Sequence, residues 1–314
     1  MNNTEHFANI MVERFIAAVN RGIDLVPVVA DSTSTAKIAP FIKEFPDRLV
    51  NVGIAEQAMV GTAAGLALGG KVAVTCNAAP FLISRSNEQV KVDVCYNNTN
   101  VKLFGLNSGA SYGPLGSTHH SIDDISVMRG FGHIEIYAPA TPSQCRQIID
   151  YALEKKGPVY IRLDGKELPE LLNEDYHFEP GKIDLVASGN DIAIVGLGSA
   201  LYEAVEAANR LTLQGISAKV LSVPSIRPCN TQQLANELAQ VKSVITVEEH
   251  NVNGGLGDLV SEVIAEQGLA VRLKRLGIPD GEYALAGDRK SLRAAHGFDA
   301  KGIEAQAITM IRGH

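Results

Sequence analysis

Two short stretches hold the side chains that could do chemistry. The first is Gly53-Ile54-Ala55-Glu56-Gln57-Ala58-Met59, where an apolar run ends at Gly53 and a run rich in Ala, Gly and Leu continues to about Leu68. That second run predicts a helix, with Glu56 in its first turn and no charge after it until Lys71. A helix N-terminus favours a negative carboxylate, whereas dry surroundings favour the protonated acid. A glutamate held between those tendencies is a structural cap or a catalytic proton donor. The second stretch is Gly116-Ser117-Thr118-His119, inside a polar, glycine- and serine-bearing loop from Asn107 to Ser121. An imidazole can serve as general acid or base; a loop histidine without that task is simply solvated. His120 beside it reads as a bystander.

These groups need a scaffold, and the pattern supplies one. Apolar runs at Leu25 to Ala30, Leu49 to Val52, Lys71 to Cys76, Val101 to Leu106, Ile134 to Tyr137 and Val159 to Leu163 read as buried strands. Helices are predicted between them: Phe7 to Val19, Glu56 to about Leu68, Phe81 to Cys95, and one opened by Thr141 as cap and Pro142 in its first turn. Alternation of this kind means an α/β fold with a parallel sheet covered on both faces. Asp31, Glu56, Phe81 and the loop after Leu106 all follow strand ends, where such sheets bind ligands. Residues 166–190 break the rhythm and read as a linker. The alternation then resumes with strands near Ile192 to Val195, Ala218 to Val223, Val244 to Val247 and Ala270 to Leu276. We therefore expect two domains, 1–165 and 191–314, which also suits a chain of 314 residues.

Composition narrows the function classes. Hydrophobic residues make up 46% and charged residues 20%, an ordinary globular balance. The formal net charge of −7 argues against nucleic acid as a partner, since phosphate neutralisation needs a basic face. No apolar run approaches the length of a membrane span, and the first residues show neither a basic start nor an apolar signal core, so a cytoplasmic location is expected. Cys76, Cys95, Cys145 and Cys229 lack the paired spacing of a metal or redox site. Gly196-Leu197-Gly198 is half of a dinucleotide fingerprint, but the third glycine is replaced by Leu201, so helix-start packing is the better reading.

The Gly-Ile-Ala-Glu-Gln-x-Met run resembles the pyrimidine-domain signature of transketolases, deoxyxylulose-phosphate synthases and 2-oxoacid dehydrogenase beta subunits. The resemblance covers nearly the whole chain and is greatest to the C-terminal half of a transketolase. It implies that Glu56 hydrogen-bonds the aminopyrimidine of thiamine diphosphate and drives loss of the thiazolium proton. It implies further that Phe81 stacks on that pyrimidine and that Asp31, otherwise a helix cap, lies near the thiazolium ring. His119 would contact the donor sugar's hydroxyl and carbonyl groups. Gly254-Gly255-Leu256-Gly257, behind Glu248-Glu249-His250, resembles a structural segment of the same family's C-terminal domain, which makes His250 a capping or interface residue.

The departures from the family are equally informative. Its Gly-Asp-Gly metal motif does not occur in this sequence, and a diphosphate needs a magnesium ion with oxygen ligands. The expectation is a split enzyme, with no metal ligand in this chain. A partner N-terminal transketolase subunit would hold Mg2+ and the diphosphate, and the assembly would be a heterotetramer. Asn107 stands where a substrate-binding histidine is usual, Gly165 where an arginine is usual, and Pro114-Leu115 where Glu-Asp is common. Losing arginine forks weakens phosphate recognition, so Arg162, Lys166 or Arg85 is expected to replace the charge. An unusual or branched sugar such as apulose 4-phosphate would suit that pocket. Asn107, His119 and Arg162 are the substrate-binding candidates. Two rival readings stand beside this one: a 2-oxoacid dehydrogenase beta subunit, and a non-catalytic partner that kept the fold.

Overall fold

Residues 4–313 are described by a computed structural model. The first half of the chain contains β1 (Glu5–His6), α1 (Phe7–Asn20), β2 (Leu25–Val29), α2 (Ala39–Glu44), β3 (Val50–Asn51), α3 (Glu56–Leu68) and β4 (Val72–Ala78). It continues through α4 (Asn87–Gln89), β5 (Val101–Leu106), α5 (Asp124–Arg129), β6 (Glu135–Tyr137), α6 (Pro142–Glu154), β7 (Val159–Arg162) and β8 (Glu167–Leu168). The second half contains β9 (Asp184–Ala187), β10 (Ile192–Gly196), α7 (Ala200–Thr212), β11 (Ala218–Ser222), β12 (Ser225–Arg227) and α8 (Thr231–Leu238). It ends with β13 (Ser243–Asn251), α9 (Leu256–Glu266), β14 (Arg272–Ile278), α10 (Arg289–Ala295) and α11 (Ala300–Arg312).

The first sheet runs β12-β6-β7-β5-β4-β2-β3 and is parallel except for β12 at its edge. All five residues of β2 and all six of β5 are buried, as a strand covered on both faces requires. On one face, α1 places Phe7, Ile10, Met11 and Phe15 against Phe104 and the α6 residues Ile148 and Ile149. Each such side chain contributes about 1.5–3 kcal/mol by leaving water. The second sheet runs β14-β13-β10-β11-β9, with β9 antiparallel at its edge. One apolar cluster crosses from Leu103 and Ile136 of the first sheet to Val195 and Leu221 of the second, so the halves share a core.

Three stretches differ from the sequence pattern. Residues 166–190, expected as a linker, contain β8, which pairs with β1, and β9, which joins the second sheet. β12, from the second half of the chain, extends the first sheet by pairing with β6. The segment 81–96 is helical, but it is wound as two π-type stretches, Phe81–Arg85 and Val90–Tyr96, around the single turn of α4. Ser86 donates its hydroxyl to the Leu82 carbonyl four residues back, a bond that competes with the α-helical ladder. Among the described residues no helix is long and apolar enough to cross a membrane.

Candidate active site

The strand order determines where a site can form. From β2 the chain moves to β3 on one side and then crosses to β4 on the other. The switch point therefore lies between β2 and β4, and ligands of open α/β sheets bind outside the carboxyl ends of strands at such a place. Asp31 follows β2, Glu56 follows β3 and Phe81 follows β4. Asn51 ties the first two ends together: its side-chain oxygen accepts from the Asp31 N–H at 3.1 Å and from the Gly53 N–H at 3.0 Å. Asp31 is exposed and has φ of 54°, a left-handed backbone that costs energy in a non-glycine residue. It does not cap α2, whose N-cap is Ile38.

Glu56 opens α3 and is 6% exposed. It does not act as a conventional cap, because the cap position is Ala55 and makes no side-chain bond. Its Oε1 instead accepts from the Arg85 guanidinium at 2.9 Å and from the buried Asn77 amide at 3.4 Å. Arg85 also lies over the Phe81 ring, 4.1 Å from its centroid. The same ring meets His119 edge-on at 5.1 Å, and His119 meets Tyr112 at 5.5 Å. Thr118 Oγ1 lies 3.0 Å from His119 Nδ1. Glu56, Arg85, Phe81 and His119, far apart in the sequence, thus form one continuous cluster. A buried carboxylate, a flat aromatic face and a half-buried imidazole can hold a planar N–H-bearing ring and move a proton beside it.

Arg162 is placed elsewhere, which corrects its reading as a substrate ligand. It is 6% exposed, and its Nε donates to both Asp124 oxygens, at 2.9 and 3.2 Å. Its Nη2 donates to the carbonyls of Ser121 and Glu249 at 3.1 and 2.9 Å. The guanidinium fastens the end of the histidine loop to the second domain. Asn107, at φ of 52°, has its side chain directly over Gly165. A Cβ at residue 165 would collide with the Asn107 amide oxygen and sit 3.0 Å from the Ser111 Cβ. Two of the positions where the sequence departs from the family pattern are therefore one spatial unit, with no room for a longer side chain at 165. His250 is buried between Asp124 and Glu248, 3.8 Å from each, and burial lowers it to about 4.

Several contributors had no local signal. Tyr283 belongs to the 279–288 loop after β14 and lines a cavity with Phe81, Arg85 and Thr118. That loop grips the histidine loop, since Ser117 donates to the Ala284 carbonyl at 3.2 Å and the Gly287 N–H points to the Gly113 carbonyl at 3.4 Å. Beneath it, Glu249 accepts from the Ala110 N–H at 2.8 Å, from Arg289 and from Arg293. Burial alone would raise Glu249, but the two arginines hold it down to about 2. Asp164, paired with Arg289, is likewise held below the usual carboxylate range against the effect of burial. In the sequence this junction is marked only by the Glu248-Glu249-His250 run; its arginine partners are not.

Residues 6–170 match the transketolase pyrimidine-binding domain and residues 181–303 the transketolase C-terminal domain. A subunit of an apulose-4-phosphate transketolase from Actinobacillus succinogenes is 72% identical, over 99% of this chain and 100% of that protein. A protein of the same description from Phocaeicola vulgatus is 38% identical over 92% of each chain. Among solved structures, a split-gene transketolase described as an inactive beta4 tetramer superposes with a TM-score of 0.87 at 31% identity, covering 99% of both chains. These matches favour the transketolase reading over the 2-oxoacid dehydrogenase alternative. This chain belongs to the transketolase family, built from that family's pyrimidine-binding and C-terminal domains.

Proposed function

We propose that this chain is one subunit of a cytoplasmic, heterotetrameric transketolase that moves a two-carbon ketol unit from apulose 4-phosphate to an aldose. The observation that carries the reading is the 72% identity across the full length of a subunit so described. The family's cofactor is thiamine diphosphate, which when bound supplies the electron sink for carbon–carbon cleavage. The site residues suit its aminopyrimidine. Arg85, a planar N–H donor, lies on Phe81 while bonded to Glu56, which supports a seat there for a flat heterocycle with an N–H edge. In this reading Glu56 holds the ring nitrogen and its proton, Phe81 provides the stacking face and Asp31 faces the second ring. His119 takes and returns the proton of a donor hydroxyl. The diphosphate and Mg2+ are assigned to the partner, because Gly-Asp-Gly is missing from residues 1–314.

The test is reconstitution. This chain alone, titrated with thiamine diphosphate and Mg2+, should bind weakly and turn over nothing, in keeping with the beta4 tetramer described as inactive. Adding the subunit that carries the Gly-Asp-Gly half should create tight binding and ketol transfer from apulose 4-phosphate. Tight cofactor binding by the lone chain, or a reconstituted pair active only on xylulose 5-phosphate, would overturn the reading.

A further inference from the structure

We infer that Arg85 is a displaceable occupant of the cofactor's pyrimidine seat, holding that seat in the free chain and leaving it when the cofactor enters beside the partner subunit. The inference rests on the transketolase reading and concerns how that same site is kept and opened. The seat has two parts, the Glu56 carboxylate and the Phe81 ring. Arg85 engages both at once: its Nη1 donates to Glu56 Oε1 at 2.9 Å, and its guanidinium carbon lies 4.1 Å from the centroid of the Phe81 ring. A guanidinium is planar, edged with N–H groups, and stacks on aromatic faces. An aminopyrimidine is also flat and N–H-edged. The two therefore compete for one ring and one carboxylate, and the seat holds either but not both.

Glu56 has two side-chain donors, and they differ in how firmly they are fixed. Asn77 is buried at the end of β4, and its own oxygen accepts from the Ala78 N–H at 2.9 Å while its amide reaches Glu56 Oε1 at 3.4 Å. That donor stays and keeps the carboxylate aimed. Arg85 is half exposed, and among the described residues Glu56 is its sole hydrogen-bond acceptor. A guanidinium so placed loses little on turning into water, since an exposed ion pair contributes weakly. In the free chain it meets a need. Glu56 is buried, the rest of α3 carries no charge, and a buried carboxylate without a cation is costly. Arg85 also covers the Phe81 face while the cofactor is away. Expelling it takes binding energy, and the diphosphate contacts that would supply that energy are assigned to the partner. Cofactor entry is thereby coupled to assembly of the two chains.

The experiment is a calorimetric titration of the reconstituted two-chain enzyme with thiamine diphosphate at fixed Mg2+. Arg85→Ala should lower the dissociation constant by about three- to tenfold, the scale of one half-exposed ion pair and one cation–π contact removed from the free state. Arg85→Lys should fall between wild type and Arg85→Ala, because an ammonium keeps the charge but has no flat face to lay on Phe81. Asn77→Ala should move the constant the opposite way, since it loosens Glu56 without vacating the seat. A crystal structure of the loaded wild-type pair needs no variant: the Arg85 guanidinium should have left the Phe81 ring. An unchanged or raised dissociation constant in Arg85→Ala would overturn the inference. So would a loaded pair in which Arg85 still lies over Phe81 and bonds Glu56. A wild-type pair that binds no thiamine diphosphate would instead overturn the transketolase reading, and this inference with it.

Discussion

Two clusters of ionisable side chains lie within the same molecule and are built in opposite ways. At the junction of the two sheets, Asp124, Arg162, Asp164, Glu249, Arg289 and Arg293 are each 13% exposed or less, and every charge meets an opposite one. At the strand ends, Glu56 is buried but its cation, Arg85, is half exposed and keeps donor groups uncommitted. A buried guanidinium held against carboxylates fastens the protein to itself. One with open donors can change partner when a ligand arrives. Exposure of the cation separates the two clusters, although both pair arginine with carboxylates.

That contrast can be broken by substitution. Glu56→Ala should reduce turnover of the reconstituted enzyme by about 10³-fold or more, within the range of general acid–base contributions, while leaving the thermal midpoint of this chain unchanged. A large drop in midpoint would make the strand-end cluster structural and erase the distinction. Arg289→Ala should do the reverse, costing about 3–5 kcal/mol because it strands Asp164 and Glu249 as buried charges. Chemical denaturation reads that loss, and an unaltered midpoint would show the junction network to be dispensable. His119→Ala should lower kcat/KM by about 10²-fold, measured on the reconstituted enzyme at saturating cofactor.

The smallest effect sharpens the comparison through pH. Glu249 has an ordinary value of 4.5 and is held down to about 2 by Arg289 and Arg293 against burial. A depressed carboxyl contributes stability that is complete above 4.5 and lost as pH falls through about 2, because the unfolded chain takes up the proton first. Glu249→Gln should flatten the acid limb of stability between those values, as followed by denaturant midpoints. Glu248 acts in the other direction: burial raises it to about 7, so its contribution is complete below 4.5 and lost as pH rises through about 7.

Much of this molecule was readable from residue order. Strands alternate with helices because parallel strands covered on both faces must be apolar throughout, and β2 and β5 are. Glu56 stood out because a single carboxylate opened an uncharged helix, whereas Phe81 and His119 were singled out by the resemblance to transketolase motifs. The misplacement of Arg162 has a physical cause. Strand position told which end of β7 it occupied, but not that Asp124 and the Glu249 carbonyl, 38 and 87 residues away, would take its donors. Tyr283 escaped for a similar reason, since the 279–288 loop has no periodicity and meets the histidine loop only after both sheets have packed.

By itself the sequence determined the local elements and the order in which reactive groups follow strands, because apolar periodicity and capping chemistry act over a few residues. It also determined the absence of the Gly-Asp-Gly motif from residues 1–314. Only the tertiary structure decided which cations are available. That choice depends on burial and on hydrogen-bond partners from distant segments, and these decide whether an arginine is closed into the protein, as Arg162 is, or left open to a ligand, as Arg85 is.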